Sequence, residues 1–252
     1  MVTIQPNATY DPWAKIYNDY WGQRYCQTVL PAFEKLLQQY NVHQGANLLD
    51  LCCGTGHVAQ SLSEQGYQVT GLDISAGMLQ YARENAPSAK FILDDARFFN
   101  LPSTFHAVIC ANAGLNEILL LEDLQAVFKK VYDSLLDNGI FLFGLNLEDF
   151  YKSWHGTISD GDVKDDFAWA CCDSYNPEAK IGQFKITIFQ KVEEFWQRLD
   201  INNSVRGYSR IEVITALKNV GFTDIYIYGK EGDVVKSEHN FHVIFLGSKQ
   251  SK

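Results

Sequence analysis

The sequence predicts an α/β fold: a doubly wound, mostly parallel seven-stranded sheet with an inserted antiparallel β patch and an N-terminal helical lid. Three observations predict it. Short apolar runs alternate with helical patterns between residues 46 and 145, the order that builds right-handed βαβ units. One such run, Leu48-Leu49-Asp50-Leu51, passes through a glycine pair, Gly54 and Gly56, into a helix start. From residue 147 to 209 the pattern changes to aromatic- and acid-rich alternating runs, FKITIFQKV and EEFWQRLDI, which read as antiparallel strands.

The elements follow in order. Residues 8–40 carry a helical pattern in which Tyr10, Trp13, Tyr17 and Trp21 recur at spacings of three and four, one face of a helix. Pro31 is expected to open a second helix, PAFEKLLQQY. After the turn at Gly45, strands are expected at Asn47–Leu51, Gln68–Leu72, Lys90–Leu93, Phe105–Ala111 and Gly139–Leu145, with Asn138-Gly139 as the turn into the fifth. Helices fit between them at His57–Glu64, Ser75–Asn85, with Ser75 as N-cap, and Leu121–Leu135. A helix at Arg210–Val220 ends at Gly221, and strands at Asp224–Tyr228 and Asn240–Leu246 close the sheet. One domain over 1–252 is expected: a lid (1–45), a ligand-binding core (46–145), a β-rich cap (146–209) and a closing segment (210–252).

Composition narrows the function classes. The net charge of −9 argues against a large nucleic-acid or anionic-membrane footprint, because both want a basic face. No apolar run has the length to span a bilayer, and the N-terminus, MVTIQPNATYDPW, lacks the basic start and apolar centre of a secretory signal. Six cysteines, Cys26, Cys52, Cys53, Cys110, Cys171 and Cys172, include no C-x-x-C and fit neither a zinc site nor a disulfide framework. They read as small buried hydrophobes of a cytoplasmic protein. ISDGDVKDD has the acid count of a calcium loop without its glycine or final glutamate, and reads as a solvated loop. No metal is expected.

The chemistry turns on Asp50. Gly54-x-Gly56-x-x-Ala59 fits the loose fingerprint of a Rossmann-like dinucleotide site, but a carboxylate just ahead of the turn repels a pyrophosphate. S-adenosylmethionine has no phosphate. Its methionine end offers an ammonium to Asp50 and a carboxylate to the helix N-terminus. The plain alternative is that Asp50 caps the turn. Asp73 ends the second strand, where an acid can accept both ribose hydroxyls. Asp95 closes the third, where an acid or its backbone can receive an adenine amine. Three acids at three successive strand ends carry more information than any one. Asp94 beside them reads as a turn residue.

LDLCCGTGHVA, VTGLDISAGMLQYAREN and FILDDARFFNLPSTFHAVIC resemble successive motifs of class I S-adenosylmethionine-dependent methyltransferases. The likeness spans residues 46–145, with a looser match at the N-terminus and over 208–246. The D-x-S-x-x-M-L run of Asp73, Ser75, Met78 and Leu79 is especially similar to the small-molecule branch. The resemblance implies S-adenosylmethionine as cofactor, with Asp50, Gly54 and Gly56 at its methionine moiety, and Cys52 and Thr55 of the same turn beside them. It implies Asp73 at the ribose, Ile74 and Met78 flanking the adenine, Asp95 with Ala96 at its edge, Cys110 and Ala111 behind the cofactor, and Tyr10 and Tyr17 folded over it. Cys52 departs from the family's usual glycine, so the turn there is narrowed. Asn18 stands where related enzymes end the N-terminal motif in an acid.

For the acceptor, CANAGLNEILL places Asn116 and Glu117 after the fourth strand, although Glu117 reads equally as a charge at a helix start. Trp13, Tyr17, Tyr20, Asn116 and Tyr151 are the expected acceptor-side residues. Asn116, Glu117 and His155 are the catalytic candidates, His155 as a possible base, while His106, at the far end of its strand, reads as structural. Methyl transfer from a sulfonium needs alignment and exclusion of water, with a base only when the nucleophile arrives protonated. The expectation is transfer to an N or O nucleophile of a small molecule by a monomer or homodimer. A cofactor-binding partner subunit without transfer activity is the second reading, and an NAD(P)-dependent oxidoreductase, disfavoured by Asp50, is the third. The Asn-Pro-Pro-Tyr type tetrapeptide of exocyclic-amine methylases is absent where CANAG stands, against methylation of nucleic-acid bases.

Overall fold

A computed structural model describes residues 10–235 and 241–251 of the chain. The main sheet has seven strands in the order β10-β11-β5-β4-β1-β2-β3. These are β1 (Asn47–Leu51), β2 (Gln68–Asp73), β3 (Lys90–Leu93), β4 (Phe105–Cys110), β5 (Leu135–Asn146), β10 (Thr223–Tyr228) and β11 (His242–Ser248). β1 pairs in parallel with both β2 and β4, and β11 runs antiparallel to β5 and to β10. The chain reverses its direction of progress across the sheet between β1 and β4, and crevices for ligands open at the carboxyl ends of strands at such a point. Asn240 and residues 1–9 of the N-terminal reading lie outside the described residues.

The sheet is buried on both faces, which is why its central strands read as apolar runs. One face packs Leu49, Leu51, Val108, Phe141 and Phe143 against α5 (Leu121–Ser134) and α7 (Arg210–Val220). The other packs Leu48, Val69, Ala107 and Ile109 against α2 (Gln23–Gln39) and α3 (His57–Glu64). Ser75 caps α4 (Ala76–Asn85) by accepting from the Met78 N–H at 3.1 Å. His106 accepts from the Asn47 N–H at the far end of the sheet, a structural bond.

Three local expectations are corrected. Pro31 opens no helix: it lies inside α2, which runs unbroken from Gln23. Cys26, Leu30, Phe33, Leu36 and Leu37 hold one apolar stripe through the proline and bury the helix as a unit, and this tertiary packing outweighs one lost N–H. Pro31 and Gln27 are exposed, so the carbonyl that loses its partner faces water. Asn138-Gly139 does not precede the fifth strand but interrupts it. Asn138 takes a φ of 62°, and the register shifts between the Phe105–Leu135 and Ala107–Ile140 pairs. ISDGDVKDD is mostly strand, because its backbone pairs with the next strand while its acids stay in solvent.

A second sheet, in the order β6-β7-β8-β9, is built from β6 (His155–Val163), β7 (Phe167–Asn176), β8 (Ile181–Val192) and β9 (Phe195–Arg206). It is antiparallel throughout and carries the alternating runs read from the sequence. The N-terminal strap takes three helical pitches in turn: 3-10 at Asp11–Trp13, α1 at Ala14–Ile16 and a π turn at Tyr17–Gly22. Trp13, Ile16 and Trp21 are buried against Met78 of the main domain and against Phe167, Ile186, Ile188 and Ile201 of the second sheet. The strap's apolar face is therefore covered by the inserted sheet, not by the edge of the main one.

Replacing Pro31 by alanine restores an N–H to α2 and removes the ring. The Pro31→Ala protein is expected to be more stable by about 1–3 kcal/mol. A calorimetric melting temperature equal to or below that of the parent contradicts this account of α2.

Candidate active site

The site lies at the carboxyl ends of β1, β2 and β4. Asp50 is fully buried near the end of β1, and its Oδ2 has no hydrogen-bond partner. Burial, then the nearby charge of Asp73, pushes its carboxyl up to about 8, with a backbone hydrogen bond from Ala59 working the other way. Asp73 ends β2. Its Oδ2 accepts from the Gly54 N–H at 2.8 Å and its Oδ1 from the Ser75 N–H at 2.9 Å. Burial raises its pKa despite these bonds. The glycine turn has no room for a side chain at Gly56. Gly56, at φ 78°, would place a Cβ 2.9 Å from the Ala82 backbone, so α3 starts pressed against α4. Thr55 is buried, its hydroxyl 3.1 Å from His57 Nδ1 and its carbonyl accepting from Asn85.

Cys52, where the resemblance leads one to expect glycine, adopts a φ of 59°, a strained conformation for a residue with a side chain. Its thiol is hydrogen-bonded to Cys110, which together with burial raises its pKa. Cys110 and Ala111 are buried at the end of β4. Ile74 and Met78 flank the Ser75 cap, Met78 buried and Ile74 partly so.

Asp95 follows β3 and is already engaged. Its two oxygens take the Arg97 guanidinium through Nε and Nη2, the latter at 2.6 Å. Burial opposes its charge, but bonds from the Arg97 side chain and backbone outweigh burial and hold the carboxyl below its ordinary range. Arg97, which also reaches Asp123, was not legible as a partner from sequence. The adenine edge, if it meets this loop, meets a neutralised Asp95 and the backbone of buried Ala96.

The strap is tied down over this edge. Asp11 Oδ1 accepts from Ser75 Oγ at 2.6 Å and from the Gly77 N–H at 2.9 Å. Asn85 donates to Asn18 at 2.7 Å, and Asn112 to Tyr17 Oη at 3.4 Å. The Tyr17 ring approaches Gly54, with Cε1 3.9 Å from where a Cβ would stand. Tyr20 stacks on Phe167 at 4.4 Å, and Trp13 sits between Tyr10 and Tyr17 with its Nε1 buried and unpartnered. Tyr10 Oη donates to Glu117, and Asn203 of β9 donates to Tyr10 Oη at 2.6 Å and also bonds Glu117. Burial lifts the Glu117 carboxyl to about 7. These two bonds oppose that rise, and Asp73 adds to it. Glu117 is therefore no surface charge at a helix start.

Two candidates are placed elsewhere. Asn116 is fully buried and its amide is used by backbone: Nδ2 donates to the carbonyls of Asn146 and Arg206, and Oδ1 accepts from the Asn146 N–H at 2.9 Å. It fastens the end of β9 to the end of β5, with both its donors taken by backbone carbonyls. His155 is exposed on β6, the outer strand of the second sheet, outside the buried cluster. Tyr151 is buried in α6 (Glu148–Tyr151), bonded to Asn146 and within the field of Glu117. Asp11, Arg97 and Asn203 were missed in the sequence because each partner is supplied by the fold. Among the described residues no three His, Cys, Asp or Glu side chains are grouped to hold a metal, and no helix is long and apolar enough to cross a membrane.

An acid whose folded pKa is raised binds a proton that the unfolded chain has released, so stability falls as pH rises between the two values. For Asp50 that window runs from 3.8 to about 8. Asp50→Asn removes the charge at little change in shape. The ligand-free variant is expected to melt higher than the parent at pH 7 and to lose part of the decline between pH 4 and pH 8. Identical pH–melting curves for the two proteins contradict the placement of Asp50.

Comparison with known proteins agrees with the fold. A family model described as a methyltransferase domain matches residues 48–139. A putative methyltransferase of Geobacillus sp. (strain WCH70) is 25% identical over 96% of this chain and 100% of its own length. The malonyl-[acyl-carrier protein] O-methyltransferase of Yersinia pestis is 30% identical over 52% of this chain and 49% of its own. An S-adenosylmethionine-dependent methyltransferase from Clostridium acetobutylicum ATCC 824 superposes with a TM-score of 0.80 at 20% identity, over 96% of this chain and 99% of that one, which shows a shared fold. The strand order, the glycine turn and the methyltransferase domain matched over residues 48–139 agree in supporting an S-adenosylmethionine-dependent methyltransferase.

Proposed function

We propose that the protein transfers the methyl group of S-adenosylmethionine to an N or O nucleophile of a small molecule held between the strap, the inserted sheet and the ends of β1, β2 and β4. The observation that carries the cofactor's placement is the buried, unpartnered Oδ2 of Asp50 beside the glycine turn. A buried carboxylate oxygen without a donor is costly unless a ligand supplies one, and an ammonium fits. In this reading Asp73 accepts from the ribose hydroxyls, Ile74 and Met78 flank the adenine, and Asp95 with Ala96 lies at its edge. Cys52, Gly54, Thr55 and Gly56 line the methionine end, Cys110 and Ala111 back it, and Tyr10 and Tyr17 cover it.

When bound, S-adenosylmethionine supplies a methyl carbon activated by its sulfonium. The chain's own residues orient and enclose. Trp13, Tyr17 and Tyr20 of the strap, with Phe167 stacked on Tyr20, exclude water from the reacting centre. Tyr151 lies within the field of Glu117. The small-molecule reading is supported by this apolar closure and by the net charge of −9, which suits no polyanionic substrate. Glu117, near neutral in pKa and bonded by two neutral donors, is the group suited to hold a proton released by the acceptor.

Asp73→Ala is expected to weaken S-adenosylmethionine binding about tenfold or more, since bonds to a charged acceptor contribute roughly 1.5–3 kcal/mol each. Isothermal calorimetry on the folded variant reads this directly, and an unchanged affinity removes Asp73 from the site. Incubation with methyl-labelled S-adenosylmethionine and a panel of small amines, alcohols and acids is expected to give labelled product and S-adenosylhomocysteine. Tight cofactor binding with no transfer to any acceptor, including a whole-cell metabolite extract, favours the partner-subunit reading.

A further inference from the structure

Four acids, Asp11, Asp50, Asp73 and Glu117, surround the ends of β1, β2 and β4, and no ion pair among the described residues involves any of them. Three have assigned work. Asp11 is held by Ser75 and Gly77, and Asp73 by Gly54 and Ser75. Asp50 is directed at the cofactor's ammonium in the reading above. Glu117 remains. It faces Tyr10 of the strap, Asn203 of β9 and, at longer range, Asp73 of β2, Cys52 of the turn, Tyr17 and Tyr151. None of these carries positive charge.

Resting on the methyl-transfer reading, we propose that the acceptor is an amine that enters as its ammonium ion, received by the Glu117 carboxylate and by the rings of Tyr10, Trp13 and Tyr17. A carboxylate or phosphate acceptor would stand among four acids with no cationic side chain facing Glu117 to meet it. A neutral alcohol would leave the Glu117 charge uncompensated among neutral donors and aromatic rings. An ammonium compensates that charge and is held by aromatic faces as well. Tyr10 and Trp13 are stacked 5.5 Å apart, and Trp13 meets Tyr17 edge-on at 5.3 Å, so the rings form one wall next to the carboxylate. The buried Trp13 Nε1, a donor without a partner, offers a further contact for an oxygen of the same acceptor.

The step balances. The ammonium gives one proton to the Glu117 carboxylate and becomes a neutral amine. Its nitrogen lone pair forms the new N–CH3 bond as the C–S bond breaks, with that electron pair remaining on sulfur as the thioether. The product amine now carries the positive charge, and Glu117 returns its proton to solvent after release. A carboxyl titrating near neutrality suits this exchange.

The test uses the full chain loaded with S-adenosylhomocysteine and tetramethylammonium as a permanent cation that cannot be methylated. Saturation-transfer NMR is expected to show tetramethylammonium binding and no binding of acetate or of neopentyl alcohol. Glu117→Gln is expected to weaken the cation's binding roughly tenfold or more. Glu117→Asp, which keeps the charge, is expected to retain most of it. Calorimetry on both variants is expected to give unchanged affinity for S-adenosylhomocysteine, which checks that they fold. Binding of acetate in preference to the cation, or cation binding indifferent to Glu117→Gln, overturns the amine proposal and leaves methyl transfer standing. Failure of the parent protein to bind S-adenosylhomocysteine overturns the underlying reading instead.

Discussion

The two-sided hydrogen bonding of the Asp73 carboxylate is the constraint on which the site depends. One oxygen fixes the Gly54 N–H of the turn after β1, and the other fixes the Ser75 N–H at the cap of α4. Ser75 in turn gives its hydroxyl hydrogen to Asp11 of the strap. A single half-buried carboxylate thus sets the glycine turn, the start of α4 and the seat of the lid. Such a carboxylate is held because its bonds to backbone N–H groups are charge-assisted, yet burial still raises its pKa.

That arrangement makes the ligand-free site electrostatically unfavourable. Asp50 and Asp73 sit close enough for the charge of one to raise the pKa of the other, and Asp50 Oδ2 has no donor. Stability lost at such a site is typical of groups arranged for binding rather than folding. Cys52 adds strain of another kind, a side chain at a φ of 59° where glycine would rest, offset in part by its thiol contact with Cys110. The surrounding sheet, buried on both faces, supplies the excess stability that lets these residues persist.

The strap and the inserted sheet depend on each other. Trp13 and Trp21 find their apolar partners in Phe167, Ile186, Ile188 and Trp169, not in the main sheet. Asn116 and Glu117, adjacent in sequence, divide two tasks. Asn116 spends its amide on fastening β9 to β5, and Glu117, turned toward the strap, gathers Tyr10 and Asn203. The first fixes where the inserted sheet stands, and the second joins it to the lid.

The sequence alone determined the alternation of β1 to β5 with their helices, the glycine turn, and the acids at three strand ends. Each is written in local signals: apolar runs of strand length, a Ser75 cap, and glycines at positive φ. Asp50 was legible for the same reason, since it stands within its own motif. Tertiary structure decided what local signals do not encode. It kept Pro31 inside α2, because a buried stripe outweighs one missing N–H. It gave Asp95 to Arg97 and Asn116 to backbone carbonyls. It left His155 on an exposed edge and set Glu117, 107 positions from Tyr10, under that residue's hydroxyl. The reason is physical: a polar side chain's role is fixed by the partner it meets, and at this site the partners come from distant parts of the chain.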